Sequence, residues 1–178
     1  MVNLDAIPAD LKARAQWVGW RTEERINGKG EKKPTKPPYS ARTGGNASHA
    51  NPQTWATFDA VVAFCERNPR IEGIGFVFTK DDEYAGIDLD KCRDPETGEL
   101  SHKAQVIVAH LNSYTEVSPN GTGLHIIVCG KPAAAVKRQE IEIYDRLRYF
   151  TVTGNHLEGT PDTIEKRYAE LAELCEAY

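Results

Sequence analysis

Residues 73–90 read GIGFVFTKDDEYAGIDLD. Two apolar runs flank the polar TKDDE, and both carry the β-branched and aromatic residues that suit a pleated strand, so the stretch predicts a β-hairpin. The second run holds an anomaly. Side chains two apart in a strand share a face, so Asp88 and Asp90 project together while Ile87 and Leu89 pack on the other side. Two ionised carboxylates side by side repel and raise one another's pKa, which calls for something positive between them. A divalent ion with hard oxygen preference, Mg²⁺ or Mn²⁺, meets that need, commonly held by one or two carboxylates plus substrate phosphates. The plain alternative is a strand end emerging into solvent ahead of the turn KCRDPETG.

Outward from this stretch, AQWVGWR predicts a first strand, followed by the polar segment 22–52, rich in Gly, Pro, Lys and Asn. That segment has no packing period and reads as an extended loop. Its bases Arg25, Lys29, Lys32, Lys33 and Lys36 outnumber its acids, whereas the stretch from Asp162 onward is acid-rich. Asn51-Pro52 predicts a helix start, with Trp55, Phe58, Val62 and Cys65 on one helical face. SHKAQVIVAHLN (101–112) predicts a crossing helix, SYTEVS and LHIIVCG a second hairpin around PNGTG, and IEIY and YFTVTG two more strands. Thr160-Pro161-Asp162 predicts a last helix in which Ile164, Tyr168, Leu171 and Cys175 repeat at helical spacing. Hairpins mixed with crossover helices imply an α+β fold with a largely antiparallel sheet.

The bulk numbers set bounds. A chain of 178 residues, 40% hydrophobic and 27% charged, is sized for one globular domain. No apolar run approaches the ~20 residues of a membrane span, and the N-terminal stretch lacks a signal peptide's basic end and apolar middle, so a cytoplasmic protein with no membrane association is expected. Cys65, Cys92, Cys129 and Cys175 form no CxxC pair and read as buried, reduced thiols. A formal net charge of −4 argues against non-specific coating of nucleic acid. No GxxxxGK[ST] is present, so an ATPase loop is not signalled.

Two further segments carry candidate chemistry. In SPNGTGLHI, Gly121 and Gly123 allow backbone N–H groups to approach an anion, Thr122 adds a hydroxyl, and His125 follows on the next strand. Each element alone is more often structural, since turns favour glycine for conformational reasons. In IEIY, Glu142 shares a face with Tyr144, opposite Ile141 and Ile143, and Arg148 and Tyr149 precede the next apolar strand.

Taken in order, GIGFVF…GIDLD, SYTEVSPNGTGLHI and EIYDRLRYFTVTG, preceded by KPPY and NPQTWATFDAV, resemble the N-terminal primase-polymerase (PrimPol) domain of the archaeo-eukaryotic primase superfamily, in its phage and plasmid replication-protein form. The resemblance runs from about Trp17 to Gly154. It implies an RRM-like, largely antiparallel sheet with flanking helices and a small N-terminal α/β subdomain. Residues 1–70 would form the basic subdomain, 71–155 a palm-like core and 160–178 a C-terminal helix. Asp88 and Asp90 take the position of the DxD metal ligands, Glu142 that of the third acidic ligand, and His125 that of the histidine on the incoming nucleotide's phosphates. Arg148 and Tyr149 match the R-aromatic pair, and Lys36 in KPPY, with Lys33 nearby, is expected to face phosphate or template. The family's Ser two before the histidine is Gly123 here, so a hydroxyl contact falls to Thr122 or Ser118.

The activity implied is template-directed nucleotidyl transfer by a DNA primase or polymerase, with two metals roughly 3.5–4 Å apart joining nucleoside triphosphates, dNTP or NTP, to a 3′-hydroxyl. Single-stranded DNA is the implied template, Trp20 and Tyr39 are candidate stacking surfaces, with a place in the core the first expectation for the tryptophan, and a helicase domain in the same or a partner chain is the expected associate. The gene would be phage- or plasmid-borne. The rival readings are a DxD glycosyltransferase, a rolling-circle nuclease, for which GLHII offers one histidine instead of two, and a non-catalytic single-strand-binding module, for which the exposed stacking aromatics are lacking.

Overall fold

The computed structural model describes residues 2–26, 28 and 30–178. Lys29, counted among the bases of the early segment, lies outside the described residues. In chain order the elements are α1 (Ala9–Lys12), β1 (Trp17–Trp20), β2 (Glu23–Ile26), β3 (Lys32–Thr35), β4 (Pro38–Tyr39), α2 (Phe58–Arg67), β5 (Gly73–Phe78) and β6 (Tyr84–Leu89). There follow α3 (His102–Leu111), β7 (Thr115–Val117), β8 (Leu124–Cys129), β9 (Val136–Lys137), β10 (Ile141–Tyr144), β11 (Arg148–Val152) and α4 (Tyr168–Ala177). The fold is α+β, and the paired strands run antiparallel in a four-stranded sheet ordered β11-β5-β1-β4, a five-stranded sheet ordered β7-β8-β6-β10-β9, and the β2-β3 ribbon.

The five-stranded sheet is amphipathic only in the sense that its two faces pack on different things. Ile87, Leu89, Leu124, Ile126, Ile141 and Ile143 pack against Ala104, Ile107 and Leu111 of α3 and Leu171 and Leu174 of α4. On the opposite face Ile127 and Tyr144 join Phe76, Phe78, Phe150 and Trp17 of the four-stranded sheet in a second core. Gly86 packs directly against the aromatics of the four-stranded sheet: a Cβ there would lie 2.5 Å from Phe150.

The hairpin expected across residues 73–90 does not form; β5 and β6 enter different sheets. Asp82 explains the divergence. Its buried carboxylate accepts from the amide and hydroxyl of Thr79, the amide of Tyr84 and the side chain of Gln16, which turns the chain out of the plane of β5. The Lys131 ammonium then reaches in, donating to the carbonyls of Thr79 (2.9 Å), Tyr84 (3.2 Å) and Asp145 (3.3 Å) and pairing with Asp82 at 3.3 Å. A polar knot thus replaces the tight turn.

Three other expectations change. The segment 22–52 is not structureless: β2 pairs with β3 and β4 with β1. Both faces of the ribbon are wet, so no apolar period marks it, and its pairing rests on backbone bonds and on contacts such as Lys32–Glu24 at 3.5 Å. Asn51 does cap, but only a single 3-10 turn, and α2 begins later on a Thr57 cap and buries Val61 and Phe64 rather than Val62. At the other end, no helix forms before Tyr168, because the backbone there bonds to Tyr114 and Cys129. Arg167 then donates to the carbonyls of Leu111 and Asn112, and α4 starts beyond it, with Leu171 and Leu174 buried and Tyr168 exposed.

The hairpin β7-β8, helix α3 on its Ser101 cap, and strands β1, β10 and β11 lie where the sequence pattern predicts them. The four cysteines are free thiols, though Cys65 and Cys175 are only half-buried. Among the described residues no helix is long and apolar enough to cross a membrane.

Asp82 and Asp145 are buried charges whose shared cation is Lys131. Removing that cation leaves Asp82 without one, while Asp145 keeps Arg146, and is expected to destabilise the fold by about 3 kcal/mol. Lys131→Met should therefore lower the urea midpoint at an unchanged m-value; an unshifted midpoint would contradict the role given to the knot.

Candidate active site

The register of the five-stranded sheet lines up one residue from each strand. Glu116 of β7 faces His125 of β8, His125 faces Asp88 of β6, Asp88 faces Glu142 of β10, and Glu142 faces Lys137 of β9. Directly opposed residues on neighbouring strands have Cβ atoms about 4.5–5.5 Å apart, so this is a continuous lateral row on one face. Contacts follow it: Glu116 Oε1 to His125 Nδ1 is 3.5 Å, His125 Nε2 to Asp88 Oδ1 is 3.8 Å, and Glu142 Oε1 to Lys137 Nζ is 3.6 Å. Signs alternate along the row except at one step, where the carboxylates of Asp88 and Glu142 stand side by side. Asp90, two residues beyond Asp88, adds a third acid to the same face.

These groups open onto a cleft of about 250 Å³ lined by Asp88, Asp90, Glu142, His125, Ser118, Arg148, Tyr149 and Lys36. Eight of the side chains singled out in the sequence thus come together. Tyr144 lines it too, together with Asn120, Phe150 and Thr151, which the sequence pattern does not mark. Tyr144 donates from its hydroxyl to Glu142 Oε2 at 2.7 Å, and the Arg148 guanidinium lies 4.9 Å from the Tyr144 ring centroid. Lys36 is half-buried, its Nζ 5.0 Å from the Trp20 ring, and the Tyr149 hydroxyl donates to the Lys36 carbonyl.

Four predicted residues stand apart from the cleft lining. Lys33 is exposed on the β2-β3 ribbon, opposite Arg25. Gly121, Thr122 and Gly123 form the β7-β8 turn, but their amides are already engaged: Gly121 N with the Ser118 carbonyl, Thr122 N with Asn120 Oδ1, Gly123 N with Ser118 Oγ. The turn closes on itself and presents Ser118 and Asn120 instead. Gly123 also explains its own departure from the family serine, since a Cβ there would lie 2.7 Å from the Leu89 carbonyl oxygen. Trp20 and Tyr39, candidate stacking surfaces, are both buried, and cations from Lys36 and Arg21 cover their rings.

Electrostatics mark the break in the row. Burial pushes the Asp88 carboxyl above the ordinary carboxylate range; the charges of Asp90 and Glu142 push the same way, while His125 and Lys36 oppose them. Burial pulls the Lys36 ammonium down, with Glu72 and Asp88 resisting. For His125 burial acts downward, yet Glu116 and Asp88, helped by the Thr151 backbone, outweigh it and hold the imidazole above its usual value. Among the described residues no three His, Cys, Asp or Glu side chains are closed about a coordination centre. The donor chemistry nevertheless fits a hard divalent ion: three carboxylates share one face, and the two in register lack a cation between them.

A carboxyl whose folded pKa is raised keeps protons that the unfolded chain has released, so it lowers stability as pH rises above the ordinary Asp range. Asp88→Asn removes that penalty. In chelator, the variant is expected to melt higher than the parent at neutral pH, with the gap closing below the ordinary Asp pKa; equal melting temperatures at neutral pH would contradict the electrostatic assignment.

No family model matches the chain. It is 34% identical over 183 residues to a DNA primase-polymerase of Nitratiruptor phage NrS-1, a match that takes in 99% of this chain and 24% of that protein. The chain therefore spans about a quarter of that relative's length. With this identity along nearly its whole length, and with the motif residues gathered on one cleft, the chain is a PrimPol-type domain.

Proposed function

We infer that the chain is the catalytic domain of a DNA primase or polymerase, which joins nucleoside triphosphates to a 3′-hydroxyl on a single-stranded DNA template during phage or plasmid replication. The observation that carries this reading is the adjacent like-charged pair Asp88 and Glu142, with no cation between them, in an otherwise sign-alternating row. Asp88, Asp90 and Glu142 would hold Mg²⁺ or Mn²⁺, which supplies Lewis-acid polarisation of the phosphates and a lowered pKa for the attacking hydroxyl.

The remaining work falls to positioning and charge. His125, in contact with Asp88, and Arg148, exposed at the rim, flank the cleft with positive charge suited to a triphosphate. Ser118 and Asn120 offer a hydroxyl and an amide at the β7-β8 turn. Lys36 sits at the inner end of the early basic segment, and Lys33 and Arg25 lie side by side farther out on the ribbon, so a template strand would run along the ribbon into the cleft. Tyr149, pinned to the Lys36 carbonyl, ties that segment to β11. A helicase domain, in the same or a partner chain, would provide the single strand.

Primer extension with Mg²⁺ or Mn²⁺ tests the reading. Asp88→Ala, Asp90→Ala and Glu142→Ala should each lose activity by about a thousandfold, the order expected when several kcal/mol of charge stabilisation are removed. Undiminished synthesis by the aspartate variants would exclude it. For the ribbon, Lys33→Ala should flatten the dependence of log K on log salt for single-stranded DNA by about 0.7. An unchanged slope in fluorescence anisotropy would remove Lys33 from the template track.

A further inference from the structure

Glu116 has no part in the metal or template assignments, yet it terminates the charged row. Its side chain is 1% exposed, and an ionised carboxylate so placed needs several compensating contacts. It has them: Thr153 N donates to Oε1 at 2.9 Å, and Gly154 N and the Tyr114 hydroxyl each donate to Oε2 at 2.9 Å. The two successive amides come from the end of β11, where Gly154 adopts φ +63° and a Cβ would lie 1.9 Å from the Asn3 carbonyl oxygen. The carboxylate is thus gripped by a backbone concavity that only glycine permits.

The remaining partner is His125, which is 6% exposed. Its Nδ1 is buried and makes no aligned hydrogen bond; the Glu116 oxygen 3.5 Å away is the acid that stands in register with it. Phe150 packs on the imidazole with ring centroids 4.8 Å apart, which limits the ring to small rotations. The opposite nitrogen, Nε2, is directed toward Asp88 and the cleft. A purely structural clamp on the end of β11 would be complete with the three donors already counted. It would not need the carboxylate to stand across from an orphaned imidazole nitrogen.

We propose that Glu116 is a positioning residue that accepts from the Nδ1–H of the His125 imidazolium, so that its Nε2–H is presented to the triphosphate of an incoming nucleotide. The second half of this statement rests on the polymerase reading above; the first half does not. The arrangement is the one by which carboxylates fix the ring plane and hydrogen bonding of functional histidines, where loss of the outer partner typically costs 10–100-fold.

The test has two arms. In steady-state extension, Glu116→Gln should raise KM for the nucleoside triphosphate by about tenfold or more with little change in kcat. In a His125→Ala background the same substitution should add less than about twofold, because its effect passes through the ring. Equal losses in both backgrounds, or an unchanged KM, would overturn the proposal. Should Glu116→Gln fail to fold, long-range ¹H–¹⁵N spectra of the histidine-labelled wild type decide the pairing without a variant. A proton on Nδ1 is the expected result, and an unprotonated Nδ1 would overturn it. A protonated Nδ1 in a wild type that extends no primer would instead retire the polymerase reading and leave the Glu116–His125 pairing in place.

Discussion

Two carboxylates, Asp88 and Glu142, oppose one another across β6 and β10, and the rest of the molecule is arranged so that they must. In a sheet the side-chain period is two, so a one-residue slip of either strand would exchange its faces. Here such a slip would drive Asp88 or Glu142 into the core beneath α3 and α4 and eject Ile87, Leu89, Ile141 or Ile143 from it. Those four residues are at most 2% exposed. Their burial, worth roughly 1.5–3 kcal/mol each, far exceeds the repulsion between two partly exposed acids. The hydrophobic core therefore enforces a like-charge contact that electrostatics alone would relieve.

The four-stranded sheet determines how much of that face remains open. Phe150 and Phe78 cover Gly86 and the apolar part of the row beside it, and they leave the charged row at the margin, where the cleft lies. The knot at Lys131 fixes this relation, because it binds the exit of β5 at Thr79 and Asp82, the entry of β6 at Tyr84, and the turn after β10 at Asp145. Asp145 is in turn bonded twice to Arg146, three residues before Tyr149 reaches back to the Lys36 carbonyl. Stability and site geometry thus share the same few polar contacts.

Much of the site was legible because it obeys the alternation rule. Asp88, Asp90 and Glu142 stand out as acids at polar positions of strands whose other positions are apolar, and their shared cleft follows from pairing. The β5–β6 connection was misread because TKDDE has a turn's composition, while the carboxylate of Asp82 satisfies several donors at once and sends the chain elsewhere. The β2-β3 ribbon left no signature, since a strand wet on both faces has no hydrophobic period. The amides of Gly121 to Gly123 looked free in sequence because nothing in PNGTG announces that Asn120 and Ser118 consume them. Glu116 did leave a signal: an acid at the centre of TEV, a short strand buried throughout, lying across a turn from the histidine.

If Asp88, Asp90 and Glu142 bind cations that a triphosphate shares, the metal and the phosphates must lie together in the cleft. A crystal grown with Mn²⁺ and a non-hydrolysable nucleoside triphosphate, with data collected at the manganese edge, measures this directly. Anomalous density bounded by Asp88, Asp90 and Glu142 is expected, with the phosphates against it and His125 Nε2 within hydrogen-bonding reach. Triphosphate bound in the cleft with no manganese at the three carboxylates, or with His125 turned away from the phosphates, would contradict it.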